Sequence, residues 1–513
     1  MQDLVVSLRR SCAVILVIAA ASGYARAQQT ATQSDSAMRD TVRELQSEIT
    51  ELQLAIRELR QEAAQYRAET DALRTELRSA LSQAKPTESA QSSPADGAGT
   101  PPQQAEHDRL SKLQDEYDLL AGKVDDQYQT KVESASKYRV RLSGLVLLNL
   151  FSNIGAVDNL DVPNIALSPV GRVEGSFGGT LRQSQVGLEV FGPMWQGARI
   201  KANLQFDFGG GFPYTENGTS LALMRLRTGT ARMDWPRTSI VAGQDAPFFS
   251  PLSPTSLASL LNPAFAYSGD LWTWTPQLRV ERRFDVGEQS TFAVQAGILD
   301  PLTGQRPGAQ FERIPQAGEA SRQPAYATRL SWSSGTEDRN RTLGIGGYYS
   351  RQNWGLGQNV NGWAATADWS VALNKLFTVT GEFYRGHAIG GLGAGLATSV
   401  LLTGSPANPS SRAFGLDTVG GWAQLKLRVS PMLEFNAAAG EDNPFAAQLR
   451  EAAWRGTAND YGVARNRSIL TNLIYRPRSD LLFSLEYRRI QSYDVTYASR
   501  SADHINLMMG VLF

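Results

Sequence analysis

The chain has 513 residues, with 50 Lys and Arg against 50 Asp and Glu, so its formal net charge is zero. Bulk electrostatics therefore give no reason to expect nucleic acid as a partner. Hydrophobic residues make up 42% and aromatic residues 9%, yet beyond the first segment no apolar run approaches the roughly 20 residues of a spanning helix, which leaves a soluble protein or a β-barrel.

Residues 1–27 read as an export signal: Arg9 and Arg10 precede an apolar stretch over 13–22, and Ala25-Arg26-Ala27 forms a small-x-small cleavage site. Cys12 is the single cysteine and leaves with the signal, so no disulfide, thiol nucleophile or cysteine metal site is expected. Residues 28–41 are polar and small, as in disordered segments. Over 42–81 a heptad repeat places Val42, Ile49, Ile56, Ala63, Thr70 and Leu77 at a, and Leu45, Leu52, Leu59, Tyr66, Leu73 and Ala80 at d. Glu48, Glu62, Glu69 and Glu76 fall at g, and Arg60, Arg67 and Arg74 at e. That separation of sign suits a parallel homo-oligomeric coiled coil, whereas an isolated surface helix explains only the apolar stripe. Residues 82–107, with Pro86, Pro94, Pro101 and Pro102, read as a flexible linker. Leu110, Leu113, Tyr117, Leu120 and Val124 mark a short helical segment within 108–136.

From 137 to 513 the period changes to two. Ala198, Ile200, Ala202, Leu204, Phe206 and Phe208 alternate with Arg199, Lys201, Asn203, Gln205 and Asp207. One face is apolar and the other polar over the length of a transmembrane strand, with lipid on the apolar side. The same alternation recurs near 421–429 and 481–489. About sixteen such strands are expected, starting near residues 138, 182, 198, 222, 238, 277, 291, 324, 342, 361, 376, 420, 432, 467, 481 and 502. Long connections (152–181, 209–221, 246–276, 300–323, 386–419, 441–466) alternate with short ones, as extracellular loops alternate with periplasmic turns. Ile505, Leu507, Met509, Val511 and Phe513 occupy every second position to the end. This pattern resembles the terminal signal read by barrel-assembly machinery. The fold class is thus an all-β transmembrane barrel preceded by an α-helical coiled coil.

The order of signal, coiled coil, linker, barrel and terminal Phe resembles the DcaP-like trimeric porins, relatives of the phosphate-selective porins. Leu226-Arg227 with Gly243-Gln244 resembles the fourth- and fifth-strand region of such porins. The resemblance implies a homotrimer in the outer membrane, a periplasmic coiled coil, and diffusion of small, often anionic solutes. β-Branched residues at a with Leu at d would favour two strands, although Ala63 and Thr70 loosen that preference, so the trimer rests on the resemblance alone.

Selectivity in such a barrel must reside on the inward faces. Arg139, Arg141, Arg199, Lys201, Arg225, Arg227, Arg279, Arg283, Lys426 and Arg428 are the basic candidates, and Glu189, Asp207, Glu281, Glu382 and Glu434 the acidic ones. Alternation puts Arg225 and Arg227 about 7 Å apart on one face. An anion-attracting wall and a balanced, solvated one both fit. The loop 246–276 carries Phe248, Phe249, Phe265, Tyr267, Trp272 and Trp274, with Asp270 its only charge. An aromatic constriction and an extracellular cap or subunit contact are equally open. Trp195, Tyr349, Trp363 and Trp369 suit aromatic girdles.

His107, His387 and His504 form no visible triad or metal set, Asp300 and Glu312 sit among loop arginines, and Gly209–Gly211 precede no helix. No cofactor, metal or catalytic residue is expected. A passive pore is the preferred function. A structural spacer or tether, reaching peptidoglycan or a periplasmic protein through the coiled coil, is the rival, and an outer-membrane hydrolase a more distant one. Outer-membrane lipid is the expected surroundings.

Overall fold

The computed structural model describes residues 131–132, 138–169, 175–212, 222–287, 289–305, 313–335, 340–355, 358–405, 408–452, 462–495 and 498–513. The expected signal, disordered stretch, coiled coil and linker lie outside them, as does most of the 108–136 stretch.

Sixteen antiparallel strands close into one barrel. They are β1 Arg139–Ile154, β2 in two pieces (Gly175–Thr180 and Gln185–Trp195), β3 Ala198–Asp207, β4 Arg225–Asp234, β5 Thr238–Asp245 and β6 Thr275–Asp285. Next come β7 Ser290–Leu299, β8 Ala325–Ser334, β9 Arg341–Asn353, β10 Asn359–Ala372 and β11 Phe377–His387. The last five are β12 Asp417–Ser430, β13 Leu433–Pro444, β14 Val463–Tyr475, β15 Leu481–Asp494 and β16 Ser499–Leu512. Each pairs with the next, and β16 returns to β1 from Leu145↔Leu512 to Ile154↔Asp503. The connections at 354–358 and 495–498, which share the side of the long loops, are as short as turns.

The faces decide the environment. On β16, Ala502, His504, Asn506 and Met508 point inward and are buried, while Ile505, Leu507, Met509 and Val511 are exposed by 41–53%. On β6, Thr275, Gln277, Arg279 and Glu281 are buried inside, with Leu278, Val280 and Phe284 outside. A water-soluble barrel would reverse this; apolar side chains outward and polar side chains inward make a membrane-spanning wall.

Lys131–Val132, inside the stretch read as helical, instead pairs with Val140 and Arg141. The reason is geometric. β16 pairs with β1 only as far down as Leu145, so the foot of β1 has unmet backbone groups on that side. The two-residue strand covers part of that edge, and Gly144 closes the rest by exchanging hydrogen bonds with Phe513, at 2.8 and 3.1 Å.

Candidate functional site

The segment between β5 and β6 folds into the barrel. Its aromatic start is apolar enough to bury: Phe249 stacks on Tyr348 of β9 at 5.3 Å and meets Phe248 edge-on at 6.0 Å. The chain then crosses the inner wall, and polar wall residues satisfy its backbone and hydroxyls. Ser250 Oγ and the Leu252 amide donate to Glu382 of β11, at 2.5 and 2.6 Å. The Thr255 amide donates to Gln424 of β12 at 2.7 Å, and Ser256 Oγ to Glu486 of β15 at 2.6 Å. Arg488 donates to Ser259 Oγ at 2.6 Å. Gln183 accepts the Leu260 amide at 2.7 Å, and Arg225 of β4 donates to the Leu261 carbonyl at 2.6 Å. The return is seated on β12 and β13 at Gly269, whose φ of +108° and closeness to the Gly421 carbonyl exclude a Cβ.

Two more loops fold inward beside it. In loop 155–169, Asn164 and Ala166 bind Asn466 and Ser492 of the wall. In loop 388–416, the Leu396 amide donates to Asp442 at 2.7 Å, and the Leu392 and Gly391 carbonyls accept from Trp272 and Thr273. Together they fill the barrel against β13–β16, where inward Asn466, Asn472, Glu486, Arg488 and Asn506 are at most 4% exposed. Inward residues that keep solvent access, such as Arg199, Lys201, Arg227 and Arg232, lie on β3 and β4. Inward basic side chains with solvent access are thus gathered on β3 and β4, with Arg428 of β12 a further one at the turn end.

Every basic candidate faces inward, and most are paired. Lys201 lies 3.4 Å from Asp234, Arg225 is bound by buried Asp207 at 2.8 Å, and Arg141 pairs with Glu189. Arg279 bridges Asp245 and Glu281, with Arg283 3.8 Å from Glu281. Glu434 gathers Lys426, Arg428 and Arg476, at 3.4, 3.7 and 3.9 Å. Around Glu434 three cations share one carboxylate, which leaves local positive excess at the turn end of the wall. Glu382 departs from its expected place: it is 2% exposed beneath the infolded segment and holds loop backbone instead of facing open water.

Arg225 and Arg227 do not sit on plain alternate positions. The register slips where Gln205 faces Thr228 but Phe206 faces Leu226, making Arg227 a bulge residue. The bulge still brings both guanidiniums over Trp274, at 5.3 and 4.7 Å from its ring. Trp274 meets Trp272 edge-on at 5.5 Å, and Trp272 meets Tyr267 at 6.1 Å. An aromatic track thus begins beside the arginines, and all three rings are only partly buried.

Asp270 is 1% exposed, and only the Ser253 hydroxyl approaches its carboxylate as a donor. Burial and the neighbouring Glu382 charge push its carboxyl well above the ordinary carboxylate range. Arg232, Arg329 with Asp368, and Glu486 with Arg488 were not singled out from sequence, although each sits at an inward position of its strand's alternation. Outside, Tyr349 and Trp363 are each 40% exposed and Trp195 52%, as girdle residues would be. His504 is buried against Asn153. Among the described residues no group of three or more His, Cys, Asp or Glu side chains converges as a metal site.

Solved structures share this architecture. The outer membrane channel DcaP of Acinetobacter baumannii superposes with a TM-score of 0.53 at 14% identity, covering 74% of this chain and 99% of that one. The fold is that of an outer-membrane porin. An anion-selective porin from Comamonas acidovorans gives 0.44 at 10% identity over 73% of this chain and 100% of its own. OprB of Pseudomonas putida gives 0.44 at 11% identity over 74% and 94%. No protein-family model and no curated protein sequence matches the chain.

Proposed function

We propose that this barrel is an outer-membrane porin that lets small hydrophilic solutes, preferentially anions, diffuse passively. The observation that carries the reading is the row of solvent-accessible, inward basic side chains on β3 and β4. The infolded loops bury the inward residues of β13–β16, while Arg199, Lys201, Arg225, Arg227 and Arg232 on β3 and β4 keep access to a passing solute. A cationic wall beside low-dielectric loop packing concentrates anions. In this reading Phe248, Phe249, Tyr267, Asp270 and Trp272 belong to the constriction, and the sixteen strands put both chain ends of the barrel on the turn side, facing the periplasm. A homotrimer with a coiled coil over 42–81 completes the assembly, delivered by barrel-assembly machinery that reads Ile505 to Phe513.

Single-channel recording in planar bilayers tests the function. Stable conductance steps, with a reversal potential in a salt gradient showing anions as the more permeant ions, are expected. A well-folded, silent barrel sinks the porin. The spacer reading draws on the same infolded loops, since enough filling makes a plug. Deleting residues 42–81 separates the two: a porin keeps its conductance, whereas a spacer loses envelope integrity.

A further inference from the structure

The infolded segment contains one charged group whose burial its place in the constriction does not explain. Asp270 is sealed under the loop with no counter-ion, and the Ser253 hydroxyl is the one donor near its carboxylate. It is the only charged residue between Asp245 and Arg279. β11 presents Glu382 and the Tyr384 hydroxyl to this region, and Tyr384 in turn donates to Asp442 of β13 at 2.7 Å. β12 contributes Trp422, whose indole N–H is unpartnered, and Gln424. The Ser253 hydroxyl is the other polar neighbour on the loop itself. The cation that acts on Glu382 is Arg329 of β8, already committed to Asp368 of β10 through two hydrogen bonds at 2.9 and 2.6 Å. Asp270 therefore has carboxylates for neighbours, and no guanidinium or ammonium pairs with it.

We propose that Asp270 is a proton-operated latch: as a neutral acid it lets the segment around Gly269 seat on β12 and β13, and its ionisation lifts that segment and widens the lumen. The reasoning is electrostatic. A buried carboxylate with a single donor and no counter-ion is costly, and a second carboxylate beside it adds repulsion. Glu382 has two donors from the loop, the Ser250 hydroxyl and the Leu252 amide; Asp270 has the Ser253 hydroxyl alone. The seat itself has no slack, because the Gly269 backbone rests on that of Gly421. A charged Asp270 must leave together with its neighbours.

The sign follows from linkage. The seated carboxyl titrates above its solvent-exposed value, so seating is strongest below the ordinary carboxylate range, near pH 4. It weakens about tenfold per pH unit from there until the seated acid itself ionises. Alkaline conditions therefore open the loop.

The test rests on the channel reading for one readout and is independent of it for the other. Conductance and the size cut-off for graded polyethylene glycols are measured from pH 5 to 10 on the full chain and on Asp270→Asn. The latch requires both to rise with pH in the parent, and the variant to stay in the narrow state throughout. A flat parent, or a variant that titrates like the parent, overturns it. The second readout is the thermal midpoint of the purified barrel. Asp270→Asn should match the parent near pH 4 and exceed it at pH 9; equal midpoints at both pH values overturn the latch even if no current flows. No conductance at any pH, with the midpoint difference present, defeats the porin reading and leaves the latch standing. If Asp270→Asn fails to fold, Asp270→Ala carries the same comparisons. Stabilisation by added Ca2+ that disappears in the variant would make this a cation site and remove the latch.

Discussion

Arg488 donates to Glu486 at 2.8 Å on the inner face of β15, and both side chains are at most 2% exposed. Each also holds the infolded loop, Glu486 through Ser256 and Arg488 through Ser259. Removing one partner leaves the other charge buried and uncompensated, which typically costs about 3–5 kcal/mol, whereas removing both costs far less. Glu486→Gln and Arg488→Met should each lower the denaturant midpoint of the folded barrel strongly. The double variant should recover most of the loss. Equal, additive losses would mean that the two side chains act independently.

Arg227 is expected to matter for selectivity more than its paired neighbours. Arg225 is ion-paired with Asp207 at 2.8 Å, while Arg227, among the described residues, hydrogen-bonds the Leu260 carbonyl, lies over the Trp274 face and feels Asp207 only at longer range. Arg227→Gln should shift the reversal potential toward cations at low salt by more than Arg225→Gln does. At 1 M salt, where screening acts over about 3 Å, the two variants should converge on the parent. A shift that ignores salt would assign the effect to pore shape.

The infolded segment should limit conductance. Replacing residues 248–272 with a short Gly-Ser turn removes the packing of Phe249 on Tyr348 and the loop's bonds to Glu382, Gln424 and Glu486. Conductance is expected to rise several-fold and anion preference to fall, because confinement strengthens the field of the wall. The newly uncovered Glu382 would add negative charge to the lumen. Unchanged conductance would place the narrowest section elsewhere.

How much of this was readable in sequence depends on the range over which each feature is encoded. The strands were legible because alternation is local: Ala198–Asp207 shows its lipid and water faces within one strand. The bulge at Arg227 was not, since it appears only when β3 is laid beside β4. Nor was the filling of the barrel, which joins Ser256 to Glu486 and Asn466 to Asn164 across hundreds of residues. Faint signals existed for it. The stretch from Ala388 to Leu402 has no charge, unusual for a loop in water, and the inward face of β14 carries Asn466, Ser468 and Asn472 where a lumen wall would carry charge. Aromatic content marked the 246–276 loop as special but left open whether it turned inward.

The seam between Gly144 and Phe513 gives a last prediction, because it separates folding geometry from delivery. The two residues exchange backbone hydrogen bonds, and a Cβ on Gly144 would fall 2.3 Å from the Phe513 ring. That distance is far inside van der Waals contact, so Gly144→Ala must displace the ring or open the seam. Gly144→Ala should therefore slow refolding of purified chain in detergent, read as the heat-modifiable band on gels. Adding Phe513→Ala to it should restore much of that rate by vacating the space. Phe513→Ala alone is expected to refold well in detergent yet to reach the membrane poorly in cells, if assembly machinery reads the terminal aromatic. Should Phe513→Ala be as slow as Gly144→Ala in detergent, the ring's own packing at the seam, and not its recognition, is what the last residue supplies.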